Sequence, residues 1–364
     1  MRNYNKALLI VAILIVGSGV GFFVYGFTTA GSIKKSFNFS YEPSSPDPVE
    51  DITINVDIGK IIFMYNTSPT TSYAEIDVYI GVSGLFVEGK TYQNFFHPSN
   101  EWWDNTTATL NLLTLPGMWF DPSHWFKSYN ISLTVTLRTD IVYDITALAS
   151  TGSIEMEVPN NANLEKLSLT SSTGSINLKT LGDNKITQLT QLETSTGSIA
   201  AYLTRTNFTS GFQATTSTGS VTLNFTNCIM GGNLKGKTST GSVNYKSYNM
   251  FYLNDILLNL ETSTGSINVE LYQYISMGAN VTGTWETSTG SVNVLYRDTL
   301  VDTDVRFIGS KGTGSFNYEV DPTMIITGLH NNIYSTVNFG EATYSYVFSL
   351  DTSTGNINAD AQSS

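Results

Sequence analysis

"TSTGSINVE", residues 262–270, is one of several near copies of a single word. "SSTGSINLK" begins at 171, "TSTGSIAAY" at 194, "TSTGSVTLN" at 216, "TSTGSVNYK" at 238 and "TSTGSVNVL" at 287. The glycines of the word are Gly152, Gly174, Gly197, Gly219, Gly241, Gly265, Gly290, Gly314 and Gly355. Their spacings are 22, 23, 22, 22, 24, 25, 24 and 41 residues. A fixed period of this size marks a repeat architecture. The last spacing is close to two periods and contains a damaged copy, "YSTVNF" at 334–339. A weaker early copy is "VDIGKIIFMY" at 56–65, with Gly59 in the glycine place.

Apolar and polar residues alternate after each glycine. Ile267, Val269 and Leu271 flank Asn268 and Glu270, and Val292 and Val294 flank Asn293. That period of two, with β-branched residues in the apolar places, predicts strands with one buried face. A second apolar run precedes each glycine, such as "DILLNLE" at 255–261. The glycine then marks a corner, where a left-handed or crowded backbone suits only Gly. No coil of about 23 residues buries its own apolar face, but coils stacked at about 4.8 Å do. The expected fold is therefore all-β, a parallel β-solenoid (β-helix) of about 22–25-residue coils. About ten coils give a rod of roughly 50 Å. Asn177, Asn244, Asn268, Asn293, Asn317 and Asn358 recur at one outward place, where side-chain amides form ladders along a stack. Paired threonines such as Thr194 and Thr196, two apart, are expected to share a face. This raises a Thr-array ice-binding surface as a minor alternative to a plain corner.

The chain has 364 residues, with 41% hydrophobic and 13% charged residues and a net charge of −12. That acidity excludes a nucleic-acid partner, whose phosphates need Lys and Arg. The single cysteine, Cys228, excludes a disulfide framework and reads as a small buried hydrophobe. Residues 7–27, "ALLIVAILIVGSGVGFFVYGF", form an uncharged apolar run of 21 residues. A spanning helix needs about 20. The rival, a cleaved signal peptide, has a shorter apolar region. The expected organisation is thus a short cytoplasmic tail at 1–6, one N-terminal transmembrane helix at 7–27 and a linker at 28–51. A solenoid start with an aromatic-rich insertion or cap follows at 52–130, and solenoid repeats fill 131–364. The repeats are placed outside a cell membrane, on a single-pass anchor. Seven Asn-x-Ser/Thr sequons, at Asn38, Asn66, Asn105, Asn130, Asn207, Asn224 and Asn280, are then eligible for glycosylation.

Between 90 and 130 the repeat breaks, and this stretch holds Trp102, Trp103, Trp119 and Trp125. Bulky aromatics cover the exposed strands at a solenoid end. They also form surfaces for sugar rings, partner proteins or the lipid interface, which makes these four candidate ligand-binding residues.

Repeats of the form "TSTGSI", preceded by "ISLTVTLRTDIVYDITALASTGSI" at 131–154, resemble the "putative adhesin" family of bacterial and archaeal cell-envelope proteins. The likeness covers about residues 130–361, with a weaker start near 52. It implies a β-solenoid in the cell envelope and, by its name, adhesion. It carries no catalytic residues.

There is no HExxH, CxxC or EF-hand loop in the sequence, and neither a metal nor a cofactor is expected. Asp302 and Asp304 stand near Arg306 and read as a solvated strand edge. The expected function is non-enzymatic: an adhesin-like binding stalk or structural spacer, with an envelope glycan or protein as partner. The alternatives are an enzyme acting on envelope polysaccharide, and an envelope-stress sensor or scaffold.

Overall fold

The computed structural model describes residues 24, 28–43, 45, 47–66, 71–116, 126–299, 302–319, 321–328, 332–337 and 339–362. The apolar run 7–27 lies outside the described residues except for Val24. Among the described residues no helix is long and apolar enough to cross a membrane.

The described chain is all-β, with two long sheets of mainly parallel strands. Ten coils stack, each giving a strand before its glycine to a back sheet and a strand after it to a front sheet. In the coil of Gly219 these are Phe212–Thr218 and Val221–Thr226. Several coils add a short third strand, such as Thr206–Phe208 and Ile229–Met230. The strands stack because each repeats the same alternation in register: Ile176, Ile199, Val221, Val243, Ile267 and Val292 are direct neighbours. All six are fully buried. Enclosing one such side chain stabilises by about 1.5–3 kcal/mol.

The corner explains the repeated word. The glycines have φ between +131° and +148°, a region that Cβ disfavours. In every coil but the outermost, that of Gly314, the glycine N–H donates to a threonine carbonyl of the next coil, as Gly197 does to Thr218 at 2.8 Å. The first hydroxyl residue of the word points inward and donates to the glycine carbonyl of the coil below. Thr216 reaches Gly197 at 2.9 Å and Thr262 reaches Gly241 at 2.8 Å. Thr194 and Thr216 are therefore buried, whereas Thr196 and Thr218 are exposed. This corrects the expected shared face: the chain turns between the two threonines, and no flat Thr-x-Thr surface forms.

The order of coils in space departs from their order in sequence. Tyr344–Thr354 lies between Val281–Thr289 and Thr303–Thr313, and Ile357–Gln362 lies between Val292–Asp298 and Phe316–Tyr318. The asparagine ladder follows the spatial order: Asn268 to Asn244 at 2.8 Å, Asn293 to Asn268 at 2.8 Å, Asn358 to Asn293 at 2.6 Å and Asn317 to Asn358 at 2.7 Å. Inside, Trp285 stacks on Phe348 at 4.2 Å, and Phe348 on Phe307 at 6.2 Å. The damaged copy at 334–339 is no coil. Ile333–Thr336 pairs antiparallel with Thr303–Thr313 and with Met324–Thr327, covering the far end.

Residue 311 explains the exchange. Lys311 pairs with Thr352 and so occupies the buried hydroxyl place. Its ammonium donates to the carbonyl of Gly314 in its own coil at 3.0 Å. A lysine is costly to bury in an inner coil, so coil 303–318 suits only the outer position.

At the other end, Glu50–Ile58 and Lys60–Asn66 form the first coil and stack directly on Tyr143–Thr151 and Ile154–Val158. Residues 67–142 are an insertion. Its strands Ala74–Gly84 and Lys127–Arg138 extend the front sheet, and Gly31–Tyr41 pairs antiparallel with Ala74–Gly84 as the outermost strand. Two expected boundaries therefore move. The stretch 28–51 contains an 11-residue strand rather than being a linker throughout. Strand Lys127–Arg138 belongs to the cap, and the repeats resume at Tyr143.

Candidate binding face

The candidate tryptophans divide between the cap interior and segments outside the described residues. Trp102 is fully buried and its indole N–H donates to the His97 carbonyl at 2.8 Å. Phe37 and Tyr92 meet its ring edge-on at 4.8 and 5.6 Å. Trp103 is half-buried, 6.3 Å from the Tyr41 ring. Both rings do the covering work that the end of a solenoid requires. Trp119 and Trp125 lie outside the described residues.

The nine corner glycines form a column through the rod and present no side chain to a ligand. Of the sequon asparagines, Asn38, Asn105 and Asn130 are exposed. Asn66, Asn207, Asn224 and Asn280 are half-buried. Asn280 is built into the stack: its carbonyl oxygen accepts from the Ser345 backbone N–H at 2.9 Å and from the Ser345 hydroxyl at 3.2 Å. Its amide nitrogen donates to Asp255 at 3.3 Å. Cys228 is buried with its thiol donating to the Leu203 carbonyl at 3.3 Å, and burial pushes its pKa up to about 11.

Asp304 is spent on structure. It accepts from the Thr336 hydroxyl at 3.0 Å and from the backbone N–H groups of Gly340 at 2.6 Å and Ala342 at 3.3 Å. Arg306 lies over the Phe339 ring at 3.5 Å. Asp304 is therefore buried, which corrects the expected solvated strand edge at this position. No group of three His, Cys, Asp or Glu side chains suited to a metal ion occurs among the described residues.

The outer side of the front sheet carries two open grooves, neither of which was foreseen. One is a groove of about 740 Å³ at the far end, between the asparagine ladder and Glu270, Glu319 and Asp360. Two of these acids are tied to neighbouring coils. Glu270 meets Lys246 at 2.6 Å, and Asp360 meets Arg297 at 2.6 Å. These hydrogen bonds hold the pKa of both cations above the usual range.

The other groove, about 540 Å³, lies near the cap. Two outward columns line it. Glu157, Lys179 and Tyr202 occupy one place on successive coils, with Met64 of the first coil lining the same groove, and Ile62, Glu155 and Asn177 occupy the other. Ala200 follows in the second column. Met64 is 53% exposed and Tyr202 51% exposed. The sequence signal was present. Ile62, Met64 and Tyr202 are largely apolar residues at outward places where most other coils carry Asn, Thr, Lys or Glu.

No family model matches the sequence, and no curated protein matches it. Among solved structures the chain is similar to one described as a "putative cell adhesion protein" from Clostridium sporogenes, at 13% identity. The alignment covers 90% of this chain and 100% of that one, with a TM-score of 0.27. At that score the likeness bears on neither fold nor function.

Proposed function

We propose that the chain is a non-enzymatic, membrane-anchored, extracellular binding stalk of the cell envelope. The apolar run 7–27 is its anchor, and the outer side of the front sheet is its binding surface. The observation that carries this reading is the pair of open grooves on one continuous face of a stacked rod. A face fixed by rung-to-rung hydrogen bonds is pre-organised, so little ordering free energy is lost on binding. The hydrophobic run, long enough to span a bilayer, supports the anchor.

The test uses the full chain produced in membranes. The expected result is retention after an alkaline carbonate wash, digestion of the rod by protease from the outer side only, and saturable capture of an envelope glycan or protein. Release by the wash removes the anchor. Absence of saturable capture leaves a spacer.

One observation favours a second reading, an enzyme on envelope polysaccharide: Glu270, Glu319 and Asp360 share the larger groove. Such enzymes need two free carboxyl groups in acid and base roles. The pairing of Glu270 and Asp360 with Lys246 and Arg297 opposes that role. New reducing ends in purified envelope polysaccharide, lost in Glu319→Gln, would establish the enzyme instead.

A further inference from the structure

We infer that the cap-proximal groove of the front sheet is a binding site for a neutral, linear oligosaccharide, with the Tyr202 ring as its platform. This rests on the binding-stalk reading and deepens it by naming the ligand class and the place.

Charge comes first. The acids of the groove are paired, Glu155 with Lys60 at 2.6 Å and Glu157 with Lys179 at 3.0 Å. Two carboxylates and two ammonium groups cancel, so the site carries no net charge to attract an ionic ligand. The far-end groove differs, since three acids there meet two cations. A neutral ligand therefore fits the cap-proximal groove best.

Surface chemistry comes next. The Tyr202 ring and the Met64 thioether are both about half exposed, in a groove that also holds Glu157 and Lys179. Asn177 supplies an amide with donors and an acceptor. A ligand that matches must present apolar C–H faces and hydroxyl edges together. A pyranose ring has that form. Its C–H face lies on an aromatic ring, and its hydroxyls reach the amide, carboxylate and ammonium groups. A purely apolar peptide or acyl chain would leave those polar groups desolvated and unpaired, at a cost.

Shape completes the argument. Met64 to Tyr202 spans three rung spacings, about 14 Å at about 4.8 Å each. Tyr202 closes the groove at one end with about half of its surface exposed, so a ring can lie against it. An extended chain of a few sugar rings follows such a column, whereas a single ion or small anion leaves most of it empty.

The experiment is titration of the full chain, in nanodiscs, with four uncharged tetrasaccharides: cellotetraose, chitotetraose, mannotetraose and xylotetraose. Binding is read by calorimetry at low and at high salt. The expected result is saturable binding of at least one, unchanged by salt. Tyr202→Ala weakens it about tenfold, equivalent to about 1.4 kcal/mol, the scale of one aromatic contact. Tyr202→Phe retains it, since the ring and not the hydroxyl is the platform. Tyr248→Ala, which changes an exposed tyrosine outside the groove, also retains it.

Binding of none of the four, or binding indifferent to Tyr202→Ala, overturns the inference. So does capture confined to charged polymers and abolished by salt. In each case the binding-stalk reading is judged separately, by whether the same nanodiscs still capture envelope material. Circular dichroism of each variant shows that the β content is kept.

Discussion

A methyl group at Gly219 would stand 2.1 Å from the carbonyl oxygen of Gly197, in a backbone with φ of +135°. The neighbouring atom is backbone, so it has no flexible end to move aside. Gly219→Ala is expected to cost more than about 2 kcal/mol, measured by chemical denaturation. A cost below that would mean that the column of corners yields locally. Thr216→Val tests the inward hydroxyl. It leaves the Gly197 carbonyl without its hydroxyl donor and is expected to cost about 1–2 kcal/mol, while Thr216→Ser retains most of the stability. Thr218→Val, at the exposed threonine of the same word, is expected to stay within about 0.5 kcal/mol of the parent.

The glycine positions and the inward columns were legible because both follow from local chemistry repeated many times. The inside or outside position of each threonine was not. Alternation by two breaks at the turn, so Thr216 and Thr218 point to different sides despite their spacing. The cap strand Gly31–Tyr41 was legible in principle: Ile33, Phe37, Phe39 and Tyr41 alternate with polar residues. Nearby prolines and the preceding apolar run drew the reading toward a linker.

At the scale of the element, the exchange of the last two coils could not be read from the repeat. Every coil offers the same register to every other, so pairing order depends on single departures such as Lys311. The packing makes this testable. Phe348 lies between Trp285 and Phe307, and Phe348→Ala is expected to cost about 3–5 kcal/mol. Its loss of protection in hydrogen exchange should appear in both 281–298 and 303–318. Sequence order alone would place 344–362 beyond 303–318 and leave 281–298 unaffected. Protection changes confined to 303–318 would contradict the observed order.

At the scale of the molecule, stability sums over neighbouring coils, and opening begins at the ends. Alkaline pH reaches the interior through its phenols and thiol. Burial raises the Tyr245, Tyr252, Tyr296 and Tyr346 phenols well above 10.0. It raises Cys228 from 9.0 to about 11 and Tyr318 and Tyr334 to about 12. The folded state thus holds protons that the unfolded state has released. Stability is fully present below the unfolded values and falls as pH rises from 9.0 through about 12. Tyrosinate absorbance and loss of the β signal are expected to rise together in that range. Free titration of these tyrosines near pH 10 with the fold intact would show that water reaches them.

The interposed coil has a consequence for how such a rod is lengthened and displayed. Tandem duplication within 164–299, where chain order and stacking order agree, adds whole rungs without disturbing either end. Duplication after residue 299 inherits an inverted order. Any continuation past residue 362 leaves from the ninth rung, at the flank. A domain fused there would be held out sideways, one storey below the summit.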